Sequence, residues 1–439
     1  MREMKDSGIE WIGKIPSDWT VSKITHILDL THPYAIGDGD HGIIKADDYT
    51  DDGIPYIRVN NLGWATELQL SNVVYITQQQ NELIKSSTLK PDDILFAKTG
   101  ATIGKTAIIP KSVAIANTTS HVGKISVSRE HCAKFFYYVL SSYIGYKQFW
   151  DFASLKTTRP ELSIDEIKQT ILISPTSYAE QKAISDHLDL KCKECDTLVI
   201  DIQSQIEALE EYKRSVITEA VTKGLDPDVE MRDSGIAWVG DIPAHWITHP
   251  LYFYFGVRKN KNALGLETNL LSLSYGKIIR KDINSNGGLL PESFNTYNII
   301  EKDDIIIRPT DLQNDKRSLR TGIAREHGII TSAYIAMKAI KTVNPEYFHY
   351  LLHAYDVMKV FYNMGNGVRQ GLNFSEFSRL MVFEPTIEEQ NAIVAYLKEK
   401  CNEIDLAIAE KKQQIETIEE YKKSLIFEYV TGKKEVVNE

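Results

Sequence analysis

The sequence predicts two globular α+β domains in tandem, each followed by a long helix, with the two helices packed as an antiparallel coiled coil of pseudo-twofold symmetry. Three observations point there. The phrase DSGIEWIGKIPSDW, Asp6 to Trp19, returns as DSGIAWVGDIPAHW, Asp233 to Trp246. A second stretch, Glu180 to Thr222, aligns on Glu389 to Thr431 without a gap at an offset of 209, with about half its positions identical. Between these shared frames lie two strand-rich blocks whose interiors barely match. One frame holding two contents implies one job done on two targets.

Four segments follow in chain order. Residues 1–175 form a first domain with its entry phrase, 176–225 a central helix, 226–385 a linker, second phrase and second domain, and 386–439 a last helix and tail. A chain of 439 residues suits this division, since one core rarely serves so long a chain. The first block reads as short apolar strands, GIPYIRV, DDILFAK, TAIIP and VGKISV, and the second as NLLSLSYGKII, DDIIIRP and YIAMKAI. Each block also holds one helix rich in Tyr and Phe, CAKFFYYVLSSYIGYKQFW and PEYFHYLLHAYDVMKVFYNM. Aromatics at helical spacing there read as core.

The long helices carry a clear seam. Leu188, Cys192, Cys195, Val199, Ile202, Ile206, Leu209, Lys213 and Val216 alternate in steps of three and four. So do Leu397, Cys401, Ile404, Ile408, Lys411, Ile415, Ile418, Lys422 and Leu425. Gly224 and Gly432 stand where C-caps belong. The seam lysines read either as snorkelling at the edge or as register control. Each helix of about 40 residues is roughly 60 Å long. The linker KGLDPDVEMRDSGIAW reaches at most roughly 50 Å, too short for a parallel return. The helices are therefore expected to run antiparallel, with the blocks at opposite ends.

Composition narrows the function. Net charge is −10, but it is unevenly spread. Residues 180–225 hold 6 basic and 10 acidic side chains, as do 388–431, whereas 240–385 hold 17 and 14. The acidity thus sits on the helices and the blocks are free to carry basic faces. The four cysteines are too few for a disulfide framework. The Cys192–Cys195 pair lies on the seam and lacks a second ligand pair for zinc. No apolar run reaches membrane length and no signal peptide opens the chain, so the expectation is a cytoplasmic protein without membrane contact.

Catalytic motifs are only approached. GATIGKT (Gly100–Thr106) resembles a P-loop with one residue missing between its glycines. NPEYF (Asn344–Phe348) resembles a methyltransferase loop but lacks its second proline. What remains is basic loop chemistry, suited to phosphates and base edges of duplex DNA. The candidates in the first block are Arg58, Asn60, Lys98, Lys105, Lys156 and Arg159. In the second they are Arg258, Lys259, Lys261, Arg308, Lys316, Arg317, Arg320, Arg369 and Gln370. Arg159 and Arg369 recur at one frame position, which points to phosphate, the shared part of the target. No catalytic or metal residue is assigned. Two other readings stay open: a coiled-coil scaffold whose blocks bind protein, and an enzyme using the Lys105 loop.

The phrase pair, with EQKAI…EEYKRSVITEAVTKGLDPD and EQNAI…EEYKKSLIFEYVTGK, resembles the specificity subunit of type I restriction–modification systems, the HsdS family. The resemblance spans essentially the whole chain. It implies that each block is a target-recognition domain for one half of a bipartite duplex DNA site and that the helices set the gap. It further implies two methyltransferase subunits docked on the helices, methylating adenine from S-adenosylmethionine. Motor-nuclease subunits using ATP and Mg would cleave, and this chain would bind no cofactor itself. The family's base-reading residues vary, so none carries over by motif.

Overall fold

A computed structural model describes residues 2–156, 160–236, 238–283, 293–310, 319–361, 364 and 371–436. The chain forms two compact units. One is Met1–Ile202 with Gln413–Glu439, the other Gln203–Lys412. The division falls inside both long helices, Tyr178–Lys223 and Ile387–Val430. Each unit is therefore a globular block with the near part of its own helix and the far part of the other.

The repeated phrase explains itself locally. Strand Met4–Asp6 pairs antiparallel with Lys14–Pro16, and Met231–Asp233 with Asp241–Pro243. In each connection the Asp carboxylate accepts the Gly amide two residues on, at 2.9 Å (Asp6–Gly8, Asp233–Gly235). The Ser hydroxyl accepts the following Ile amide, Ser7 from Ile9 and Ser234 from Ile236. Asp, Ser and Gly are residues that close such turns with their own side chains or left-handed backbone.

After the phrase, strand Thr20–Lys23 pairs with Ile171–Ser174, and Ile247–Pro250 pairs with Met381–Glu384. These antiparallel pairs link the two ends of each block. Each unit then holds a four-stranded antiparallel sheet of one topology. In spatial order the first is Ile36–Asp38, Val122–Ile125, Ile94–Ala97, Thr106–Ile108. The second is Phe255–Val257, Ile335–Ala339, Ile305–Ile307, Thr321–Ile323. The remaining strands differ. The first unit adds a three-stranded sheet, Val74–Ile76, Ile54–Ile57 and Asn117–Thr118. The second adds the hairpin Leu271–Ser274 with Lys277–Arg280, and the pair Asn298–Ile300 with Gly328–Ile330.

The aromatic helices pack as core. Phe135, Phe136, Val139 and Leu140 are buried in the first unit, and Tyr347, Phe348, Leu351 and Leu352 in the second. The first was expected as one helix, and the structure breaks it into Ala133–Ser141 and Tyr143–Ser154. Ser142 is extended and its hydroxyl caps the second piece through the Ile144 amide, at 3.1 Å. Gly145 permits the bend, because a Cβ there would sit 2.1 Å from the Leu140 carbonyl oxygen.

Within each unit the long helices run antiparallel. In the first, His187 packs on Tyr429 and Asp196 on Lys422, so numbers rise on one helix as they fall on the other. Every predicted seam residue is buried or half-buried. Leu425, Ile426, Tyr429 and Val430 share one core with Ile12, Ile15, Trp19 and Leu188. Val216, Ile217, Ala220 and Val221 share another with Ile242, Trp246, Ile393 and Leu397. No described helix is long and apolar enough to cross a membrane.

Candidate nucleic-acid interface

Two candidate loops meet in each unit, at the exit of the third strand of the sheet in spatial order. In the first unit the chain leaves strand Ile94–Ala97 at Lys98 and returns as Thr106–Ile108. Ala97 N donates to Lys105 O at 2.9 Å, which closes the loop. The loop before helix Ile164–Lys168 docks on it: Gly100 N donates to Pro160 O and Leu162 N to Lys98 O, both at 2.9 Å. The second unit repeats the construction. Arg308 N donates to Arg320 O at 2.8 Å, and Leu372 N to Pro309 O at 3.0 Å. Residues 98–105 with 160–162, and 308–310 and Arg320 with Leu372, thus converge at equivalent places. Arg159, Lys316, Arg317, Arg369 and Gln370 lie outside the described residues.

A third loop joins in the first unit. Strand Ile54–Ile57 runs into Arg58, and Thr118 Oγ1 donates to Ile57 O at 2.9 Å. The same turn carries His121, whose carbonyl accepts the Lys98 amide at 2.9 Å and whose ring lies 3.4 Å from Thr99 Oγ1. Residues 117–121 therefore tie Arg58 and Asn60 to the Lys98–Lys105 loop. His121 and Thr99 went unselected in the sequence. Their signal was the polar run NTTSH between two apolar strands.

The individual candidates separate into outward and inward groups. Asn60 and Lys259 are exposed, and Lys105 is half-buried. Arg58 is half-buried, its guanidinium on the Asn72 carbonyl at 3.2 Å and over the Tyr49 ring. Lys156 is held by the Glu161 carbonyl at 2.6 Å and the Glu166 carboxylate at 2.9 Å. Lys261 is exposed and donates to Thr296 O at 2.9 Å, and half-buried Arg308 stands at the loop mouth.

Three candidates are engaged inside their own units. Lys98 is 4% exposed with its ammonium on Asp38, which also holds His41. Arg320 is wholly buried, its guanidinium on the Thr310 carbonyl and its amide on the Asp356 carboxylate. Both brace the loop from inside. Arg258 turns onto Asp304, whose carboxyl burial pushes up while the guanidinium pulls it down. Asp93, the matching residue of the first unit, is instead met by Ser126 Oγ at 2.6 Å and feels the charge of buried Lys124. Arg258 thus answers a buried carboxylate, as Lys124 does from another strand.

The Lys105 loop is no nucleotide cradle. A P-loop passes from strand into helix, so that helix amides face the phosphates. Here one short turn, Gly100–Thr102, leads into strand Thr106–Ile108. Cys192 is buried in the seam, and burial pushes its thiol up to about 11, which suits packing.

Known proteins match this architecture. Residues 16–208 match the family model described as the type I restriction modification DNA specificity domain. Over 431 residues the chain is 23% identical to the protein named the MjaX type I restriction enzyme specificity subunit, from Methanocaldococcus jannaschii, covering 96% of this chain and 95% of that one. It is 24% identical over 208 residues to the EcoBI specificity subunit of Escherichia coli, 47% of this chain and 42% of the other. A chain in a solved structure concerned with complex assembly and conformational transition of the type I R-M system superposes with a TM-score of 0.68 at 13% identity. That match covers 96% of this chain and 99% of the other, and it speaks to the fold. With a specificity-domain match on the first frame and a relative aligned through both copies, the chain is similar over nearly its whole length to specificity subunits of type I restriction–modification systems.

Proposed function

We propose that each globular block reads one half of a bipartite duplex DNA site and that the paired helices set the gap between the halves. The chain works in the cytoplasm as the non-catalytic subunit of a complex. Two methyltransferase subunits dock on the long helices and methylate adenine from S-adenosylmethionine. Motor-nuclease subunits, with ATP and Mg, join them for cleavage. One observation carries the reading: both units bring the same two loops together on the same sheet, yet load them with different side chains. A shared scaffold with unshared loops suits two targets of one chemical kind. Outward Lys105, Asn60, Arg58, Arg308, Lys259 and Lys261 are the contacts assigned here, alongside Arg159 and Arg369.

Duplex binding by the assembled complex tests this. Affinity should fall steeply between roughly 50 and 200 mM salt. Lys105→Ala should weaken binding about 3- to 10-fold across sequences and flatten the salt slope by about one. Binding indifferent to salt would contradict DNA recognition.

A further inference from the structure

The short helix of each block docks on the long helix that follows it, and much of that docking is common to both units. Gln181 accepts the Cys132 amide at 2.9 Å, and Gln390 accepts the Asn344 amide at 2.8 Å. Each glutamine then donates to a proline carbonyl, Pro175 at 2.9 Å or Pro385 at 3.0 Å. The indoles of Trp19 and Trp246 donate to Glu180 and Glu389, at 3.1 and 3.4 Å. By these contacts alone, either block fits either long helix.

One contact differs in sign. Lys134 is the second residue of helix Ala133–Ser141, and it pairs with Asp189 of the first long helix at 2.5 Å. Glu346 is the second residue of the matching helix Pro345–Val357, and it pairs with Lys398 of the second long helix. The ungapped alignment of the long helices sets Lys398 opposite Asp189. The same bridge is thus built twice with its charges exchanged. Surroundings reinforce each version. Asp189 also accepts the Tyr138 hydroxyl at 2.7 Å, and Glu346, its side chain 13% exposed, is held as well by Arg325 of its own block.

We propose that this charge-reversed pair is a matching key that seats each block on its own long helix and repels it from the other. A block on the wrong helix sets Glu346 against Asp189, or Lys134 against Lys398. Like charges in partly desolvated contact oppose docking, where the native pairs favour it. The key matters because the glutamine, proline and tryptophan contacts of the frame are duplicated and do not discriminate. It also stands independently of what the blocks bind.

The test uses the full chain with residues 247–385 also replacing 20–175, so that Glu346 chemistry meets the first long helix. This chain is compared with and without Asp189→Lys, by thermal unfolding. Asp189→Lys should raise the melting temperature by about 2–4 °C. In the native chain, Lys134→Glu should lower it by a similar amount, and adding Asp189→Lys should recover at least half of the loss. The native-chain arm decides if the two-copy chain does not fold. Equal melting with and without Asp189→Lys, or a double variant no better than Lys134→Glu alone, would overturn the key.

Discussion

Gly432 shows how much rests on one residue at the end of a helix. Its backbone is left-handed (φ +66), and an added Cβ would lie 2.3 Å from Pro16 and 3.2 Å from Trp19. Gly224, its counterpart at φ +77, leaves 3.4 Å to Trp246. Gly432→Ala is expected to cost about 1–3 kcal/mol, and more than Gly224→Ala, because it adds a clash to the backbone strain. Thermal unfolding of the two variants checks the order. His349 makes a second prediction. Its Nε2 is buried without a hydrogen-bond partner, and burial, then His353, then Arg325, push its pKa down to about 3. The unfolded chain takes up that proton near 6.5 and the folded one does not. Stability should therefore decline as pH falls from about 6.5 toward 3, and His349→Gln should flatten the decline between pH 6.5 and 4.5. Residues of this kind were the least legible in the sequence. Lys98 looks like a surface cation in a polar loop, because its partner Asp38 comes from a distant segment, and Arg320 looks the same, because the Asp356 carboxylate that fixes its backbone amide comes from the aromatic helix.

At the scale of the element, the seam was plain in the sequence, since steps of three and four are a local pattern. The meaning of its lysines was not, because it depends on the facing helix. Lys422, 7% exposed, pairs with Asp196 at 2.6 Å, and Lys213 pairs with Asp405 at 2.6 Å. The ungapped alignment makes these two bridges the same bridge, Lys213 matching Lys422 and Asp196 matching Asp405. The lysines read as register control fit this better than edge snorkelling, at least for the buried one. Asp196→Asn is expected to destabilise by about 1–2 kcal/mol, more than Asp405→Asn, because it leaves the more buried ammonium unpaired. Lys422→Leu should be near neutral, since an apolar residue suits the seam. Chemical denaturation of the three variants measures both claims. The break at Ser142 was illegible for the opposite reason: the aromatic spacing continues across it, and only Gly145 hinted at a bend.

For the whole molecule, the repeat made the two blocks and the two helices visible before any coordinates. Antiparallel pairing already set the end of the last helix beside the start of the first, but the repeat did not show that those residues enter the core of the first unit. The first unit takes Gln413–Glu439 as its own, with Leu425, Ile426 and Val430 in the core around Trp19. Removing 413–439 should therefore unsettle the first unit and spare the second, seen as faster proteolysis within residues 20–175 than within 247–385. Equal cleavage of both would contradict that assignment. The central claim is that each block reads its own half-site. The most direct measurement maps methylated sites in cells making this chain with the proposed methyltransferase subunit, before and after residues 20–175 are replaced by the corresponding block of a relative carrying a basic residue at position 134. One half of the recognised sequence should change while the other half and the gap stay as they were. A change in both halves, or in neither, would contradict the account.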